Sequence, residues 1–424
     1  YKDQIAQAVE QQTGRTLTIE GDLDLTFFPW LGLKLGRAQL SDAPGFGDQP
    51  FARLDGARLA VAVWPLLSQQ RLVLDKIEVN GLNLRLIRNE QGRGNWEDLA
   101  ERFAAEEQAP AEPQPEQPGR QLAIESQGGL ELKDAAILWE DRQAGTRYLI
   151  SPFNVTVSEL NPEQPIPLRA RWALQATDAP ELSGELTARV RYDQAGQKVA
   201  VQDLVLDALA RGEQLPGGEL RASLRAMVEA DLQAQRYAVP QATLQVAGVT
   251  ANLAAEAGMQ NEQLAASGTL TLPSFNAREL MRRLELEVPP TADPNALASV
   301  ALTARLRFDG QGLALEQLQG ELDQTNIRGQ AQIPSFDPLT ARFQLALDQL
   351  DLDRYLAPAQ EGEPAPAPPG EPAPETELPV DLLRELNLDG TVSIDRLTVK
   401  KVNVTDIKTT ITARNCDARR AGRG

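Results

Sequence analysis

The sequence predicts a mainly β fold: an elongated, curved antiparallel sheet that forms an open apolar groove, with a short N-terminal helix and few other helices. Three observations predict it. Apolar and polar residues alternate through most of the chain, Gly and Pro punctuate the alternating runs, and two segments rich in Pro and acids interrupt them. A period of two marks a strand with one apolar and one wet face.

The elements follow in order. Ile5, Ala8, Val9 and Gln12 recur at helical spacing ahead of Gly14, so residues 1–13 read as one amphipathic helix with Gly14 as its stop. From Leu17 the alternation takes over: Leu17 and Ile19; Leu23, Leu25 and Phe27; Leu33 and Leu35; Leu59, Val61 and Val63; Leu72 and Leu74; Leu82, Leu84 and Leu86. Gly21, Pro29, Gly36, Pro44-Gly45 and Asn80-Gly81 read as turns, the last as a hairpin signal. Arg85 falls between Leu84 and Leu86, on the wet face of its strand. Residues 104–120 hold repeated Pro and acids with almost nothing to bury, a solvated loop.

Strands resume with Ile137 and Trp139, Val155 and Val157, the run Leu186, Ala188 and Val190, and Val201 and Val205. Leu302, Ala304, Leu306 and Phe308 follow, then Leu345 and Leu347. Residues 357–377 are a second Pro-acid loop, and Val392, Ile394, Leu397, Val399, Val402, Val404 and Ile407 form the last strands. Residues 277–286 and 381–386 are the remaining helix candidates. Leu272-Pro273-Ser274-Phe275-Asn276 and Ile333-Pro334-Ser335-Phe336-Asp337 look like one strand-then-turn unit used twice, the mark of stacked supersecondary units. The resulting map has a helix and first strands over 1–103, a loop over 104–120, a central sheet over 121–356 and a loop over 357–377. C-terminal strands over 378–411 and a tail without strand pattern over 412–424 complete it.

Composition removes several functions. With 42 Lys plus Arg against 60 Asp plus Glu, the formal charge of -18 repels phosphate backbones, so no nucleic-acid partner is expected. The same charge gives no general attraction to an anionic membrane surface, so contact with lipid has to come from apolar surface or an anchor. The chain holds no His and one Cys, Cys416, which removes the Ser-His-Asp and Cys-His relays, disulfides and cysteine-rich zinc sites. Neither a phosphate-cradling G-x-x-x-x-G-K-[ST] nor a G-x-S-x-G elbow occurs, and Gly92 and Gly94 lack the third glycine of a dinucleotide fingerprint. Asp348, Asp351 and Asp353 lack the central glycine and closing glutamate of an EF-hand loop and read as the wet side of a strand and its turn. Asn154-Val155-Thr156 and Asn403-Val404-Thr405 read as ordinary strand residues. No enzyme, cofactor or metal is expected.

Alternation alone leaves two architectures open: a closed sandwich or barrel core, and an open sheet with a bare apolar face. Few helices are available to cover such a face, and the Pro-acid segments make one closed barrel awkward.

The N-terminal residues suggest a family. Thr13-Gly14-Arg15, the Gly21 turn, Phe28-Pro29, Pro65-Leu66-Leu67, Asn80-Gly81 and Gly94-Asn95-Trp96, in that order and spacing, resemble the N-terminal region of AsmA-family proteins. The stretch over 268–356 and the run from Leu388 to Ala413 resemble the family's downstream repeats. The resemblance implies a periplasmic protein of a Gram-negative cell, anchored by an inner-membrane helix just before Tyr1, with a role in outer-membrane lipid homeostasis. It also implies kinship with bridge-like lipid-transfer proteins built from repeating β-groove units, with phospholipids or related envelope lipids as partners and the outer membrane or an envelope protein at the far end. Residues 414–424 depart from it, since the resemblance implies further strands there. On alternation, the groove residues are Leu23, Leu25, Phe27, Leu59, Val61, Val63, Leu72, Leu74, Leu82, Leu84, Leu86, Leu302, Leu306, Leu345, Leu347, Val392 and Ile394. The rival expectation is a non-catalytic structural or regulatory envelope scaffold with a closed β core.

Overall fold

The computed structural model describes residues 2–26, 30–62, 72–74, 76–108, 124–126, 128–158, 164–193, 195–260, 263–336, 339–358 and 387–413. Among the described residues the chain is mainly β, in open mixed sheet with few helices and no closure into a barrel. It divides into two compact units, Tyr1–Ala195 with Val199–Arg225, and Gly196–Lys198 with Ala226–Gly424.

The first unit opens with helix α1 (Lys2–Thr13). It stops where Gly14 takes φ +71° and its N–H reaches back to the Glu10 carbonyl, the left-handed end that only a glycine adopts without strain. Short strands then act in groups as single bent strands. β1 (Leu17–Ile19) and β2 (Leu23–Thr26) lie antiparallel to β4 (Ala38–Leu40) and β3 (Trp30–Leu35), which pair in turn with β5 (Ala52–Leu54) and β6 (Gly56–Ala62). β7 (Leu72–Leu74), β8 (Ile77–Asn80) and β9 (Asn83–Arg88) follow on β6 and β5. Helix α2 (Glu97–Gln108) leads to β10 (Ile124–Ser126) and β11 (Leu130–Asp141), which run parallel to β7, β8 and β9. β12 (Thr146–Val157), β13 (Ile166–Ala176) and β14 (Glu181–Asp193) continue as an antiparallel meander. β15 (Lys198–Arg211) and β16 (Glu219–Asp231) carry the boundary between the units.

Several glycines read as turns do something else. Gly21, Gly36 and Asn80-Gly81 do not reverse the chain; each bends a strand that continues in the same direction. Asp55, Asp134 at φ +51° and Pro152 mark the matching bends in the neighbouring strands, with register shifts at Leu132/Ala135 and Ile150/Phe153. Paired strands set these bends side by side, so a row of bulges crosses the sheet as far as β12, while β13 runs unbroken. A bulge adds a residue and increases twist, which is how an antiparallel sheet is made to bend.

The second unit is a meander of β17 (Arg236–Val246), β18 (Val249–Gln260), β19 (Gln263–Phe275), β20 (Val300–Phe308), β21 (Leu313–Leu322), β22 (Thr325–Phe336) and β23 (Leu339–Asp351). β24 (Asn387–Val399) then joins β23 in parallel, and β25 (Val402–Ala413) pairs antiparallel with β24. Pro240, Pro273 and Pro334 each sit at a register shift, where a missing N–H costs the ladder least. The sheet expected to be antiparallel is therefore mixed, and among the described residues the parallel joins fall where the connection carries a Pro-acid segment.

Helix α3 (Ala277–Arg283) occupies part of the predicted 277–286, capped by the Asn276 side chain accepting from the Glu279 N–H. Helix α2 was not predicted; it reaches Gln108, so the first residues of the segment read as a loop over 104–120 are helical. The rest of that segment, residues 359–377 of the second, the 381–386 helix candidate and the 414–424 tail lie outside the described residues.

Candidate functional site

Strand register decides which side chains share a face. In the first unit Leu23 and Leu25 oppose Leu35 and Leu33, Leu33 opposes Leu59, and Leu31 opposes Val61. Ala57 opposes Val79, Val79 runs beside Leu132, Leu132 opposes Val155, Val155 opposes Ala170, and Ala170 opposes Leu186. Beyond the bulges the same holds: Leu17, Leu40, Ala52, Leu84, Ile137, Ile150, Leu174 and Leu182 follow one another from strand to strand. The two series lie on one face, because β13 carries Leu168, Ala170, Trp172 and Leu174 two residues apart with no break. Of the sequence-predicted residues, Leu82 sits in the bend between β8 and β9, and the backbones of Leu72 and Leu74 form β7, with Leu74 opposite Val61. Phe27 and Val63 lie outside the described residues.

The second unit repeats the pattern. Leu253, Leu270, Ala304 and, one step along, Leu302 and Leu272 share a face. Leu306 opposes Leu315, which opposes Ala331, which opposes Phe343. Leu345 and Leu347 lie directly beside Val392 and Ile394, and Ile394 opposes Ile407. Glycines on this face leave room for rings to lie flat: a Cβ at Gly390 would overlap the Phe343 ring, and in the first unit one at Gly184 would overlap Trp172.

The opposite face is charged. Lys76 bridges Glu78 and Glu131, Lys133 also reaches Glu131, Glu185 takes Arg169 and Arg171, and Arg307 pairs with Glu316. Hydrogen bonds from Lys76 and Lys133 hold the Glu131 carboxyl below its ordinary value.

The apolar face is not covered as a core would be. Ile87 and Asn95 are the largest fully buried side chains among the described residues, and neither lies on it. Leu31, Leu59, Leu244, Met259, Leu264 and Phe336, which do, are between 39% and 55% exposed. In a closed sandwich these positions would be the buried ones.

Ile87 belongs to a small cover on the other face. It packs with Ala43 and Phe46 from the segment between β4 and β5. The buried Asn95 side chain accepts from the Ile87 N–H and donates to the Arg85 carbonyl and Asp42, completing the free edge of β9. Arg15 is 2% exposed; its guanidinium donates to the Asn95 carbonyl and to Asp98, and lies 4.4 Å from the Phe51 ring centroid. Burial works to raise the Asp98 carboxyl, but the Arg15 hydrogen bond and charge outweigh it and hold it below the usual range. Arg85, read as standing on a wet face, lies beneath this cover with Nη1 buried. Sequence reasoning missed Ile87, although Leu86-Ile87 breaks the alternation and is the signal of a strand buried on both faces.

Acidic clusters are committed to structure. Asp348 accepts from Asn326 and the Gln349 N–H, Asp351 from the Asp353 N–H, and Asp353 from the N–H groups of Lys400 and Lys401. Asp323 accepts from the N–H groups of Leu297, Ala298 and Ser299 and from the Tyr355 hydroxyl. Burial, and then that bond to Asp323, push Tyr355 up to about 12. No group of metal-ligating side chains gathers among the described residues. Asn154 accepts from the Asp134 N–H at a bulge and Asn403 from Thr398, both as strand residues.

What fold and face define is a β-sheet protein whose two units each carry an apolar face and a charged one. The AsmA family model matches residues 1–419, and the chain belongs to that family. Membership fits an envelope-associated function. No curated protein and no solved structure matches. Among the described residues no helix is long and apolar enough to cross a membrane.

Proposed function

We propose that this protein is a non-catalytic lipid-binding protein of the periplasm, anchored at the inner membrane, that carries phospholipids along its apolar face in support of outer-membrane lipid homeostasis. The observation that supports this most directly is the uncovered apolar face, continuous across the paired strands of each unit. Moving a two-chain lipid through water exposes acyl chains at about 0.8 kcal/mol per CH₂, roughly 20 kcal/mol in all. An apolar floor removes most of that barrier while the headgroup stays wet at the open side. The rival scaffold reading requires a buried core that would account for these side chains, and their exposure speaks against it.

Two substitutions on one strand test the reading. Leu84→Arg places a cation on the open face, where its stem lies along apolar neighbours and its head reaches water, so the melt should shift by about 1 kcal/mol or less. Bound phospholipid, counted after solvent extraction, should fall sharply. Ile87→Arg buries the charge under the cover and should cost about 4 kcal/mol or more. A Leu84→Arg protein that unfolds like Ile87→Arg, or that folds and keeps its lipid, removes the reading.

A further inference from the structure

The apolar face of the first unit changes character at one end. Along β9, Leu84 and Leu86 are followed by Arg88; along β11, in register with them, Ile137 and Trp139 are followed by Asp141. Tyr148 stands opposite Trp139 on β12 and is 42% exposed. Trp96, just after the bridge of Gly94 to Arg88, brings its ring centroid to 5.1 Å from that of Trp139, tilted by 34°. The Arg88 guanidinium carbon lies 5.9 Å from the Trp139 centroid, and its Nη1 is 3.4 Å from Asp141 Oδ2.

We propose that this end is the seat of the phosphate-bearing headgroup of a glycerophospholipid whose chains lie on the adjoining leucines; the proposal rests on the lipid-binding reading above. Three observations carry it. The order of side chains is that of a lipid: aliphatic at Leu84 and Ile137, amphipathic aromatic at Trp96, Trp139 and Tyr148, cationic at Arg88, over about 13 Å of strand. Trp and Tyr favour such boundaries because one end of each ring system is apolar and the other seeks a polar partner. The charge of Asp141 is also shared: its Oδ2 faces Arg88 while its Oδ1 accepts from the N–H groups of Gln143 and Ala144. The Arg88 side chain is 39% exposed, so a phosphate can reach the guanidinium from the open face. A planar guanidinium suits phosphate, and a lipid lacking phosphate would leave those donors unanswered.

The test loads the 424-residue chain from detergent with phosphatidylglycerol or with diacylglycerol of identical chains, and counts bound lipid by native mass spectrometry. Wild type should prefer the phosphate-bearing lipid. Arg88→Gln, checked for folding by its melt, should lower that preference about tenfold, and Arg88→Lys, which keeps the charge but not the planar fork, should lower it less. Excess inorganic phosphate should not displace the lipid. An unchanged preference in folded Arg88→Gln overturns the assignment, and displacement by free phosphate makes this a site for the anion alone, which overturns it too. A wild type that takes up neither lipid overturns the lipid-binding reading itself, whereas one that takes up both equally overturns only the headgroup seat. A photoreactive label on wild-type protein covers the case where Arg88→Gln fails to fold. A headgroup label should mark peptides bearing Trp96, Trp139 and Tyr148, and a label at the chain end marking them instead overturns the proposal.

Discussion

At the scale of single residues, the side chain that ties most together is Asn95. Its carbonyl oxygen and amide close the edge of β9 on one side, and its backbone carbonyl receives Arg15, whose other partner is Asp98 on α2. Asn95→Ala leaves the Ile87 N–H and the Arg85 carbonyl without partners in a buried place, so a loss of about 2–4 kcal/mol is expected in urea unfolding. Asp98 adds a pH dependence whose sign is fixed. Its carboxyl titrates below the unfolded value, so the stabilisation is present above the ordinary carboxylate range and is lost as pH falls through the lowered value. Asp98→Asn should therefore flatten the acid limb of a stability–pH curve and leave the slope near neutral pH alone. The Gly94-Asn95-Trp96 string was visible in the sequence as part of a resemblance, but its work was not. Asn95 acts through an edge that exists only once β9, β5 and the segment between β4 and β5 have met.

At the scale of elements, alternation disclosed the strands and their faces, and the row of bulges explains why it held across bends. Where a strand bends, the apolar step lengthens from two residues to three: Leu35 to Ala38, Leu54 to Ala57, Leu132 to Ala135, Ile150 to Phe153. Each extra residue returns the side chains to the same face, since a one-residue slip would otherwise turn the rest of the strand over. Those three-residue steps are written in the sequence, yet Gly and Asn-Gly within them carry the same local chemistry as a hairpin turn, which is why Asn80-Gly81 read as a reversal. Whether such a site turns or bends is decided by the partner strand. Gly81 has φ +62°, and a Cβ there would overlap the Asp55 carboxylate across the bend. Gly81→Ala should cost about 1–3 kcal/mol. Adding Asp55→Ala should recover the part due to overlap and leave the part due to φ, a separation that a double-mutant cycle measures.

At the scale of the whole molecule, the parallel joins seen among the described residues take their connections through the Pro-acid segments, one between β9 and β10 and one between β23 and β24. Parallel neighbours need a long crossover, and a sequence rich in Pro supplies length with fewer N–H donors to compete for sheet edges. Composition made those segments legible as interruptions, but nothing local in them announces that the strands on either side run the same way. Replacing residues 110–119 with Gly and Ser at equal length should keep the melt within about 0.5 kcal/mol, since their sequence of Pro and acids holds almost nothing to bury. The proposed function makes a sharper demand on each unit. Leu84→Arg stands on the face of the first unit and Leu345→Arg on that of the second. If each face takes lipid, each substitution removes its own unit's share of the phospholipid counted after solvent extraction, and the double variant removes both shares. A folded single variant that keeps the wild-type count would show that its unit's face takes no lipid, and the reading would have to be given up for that unit.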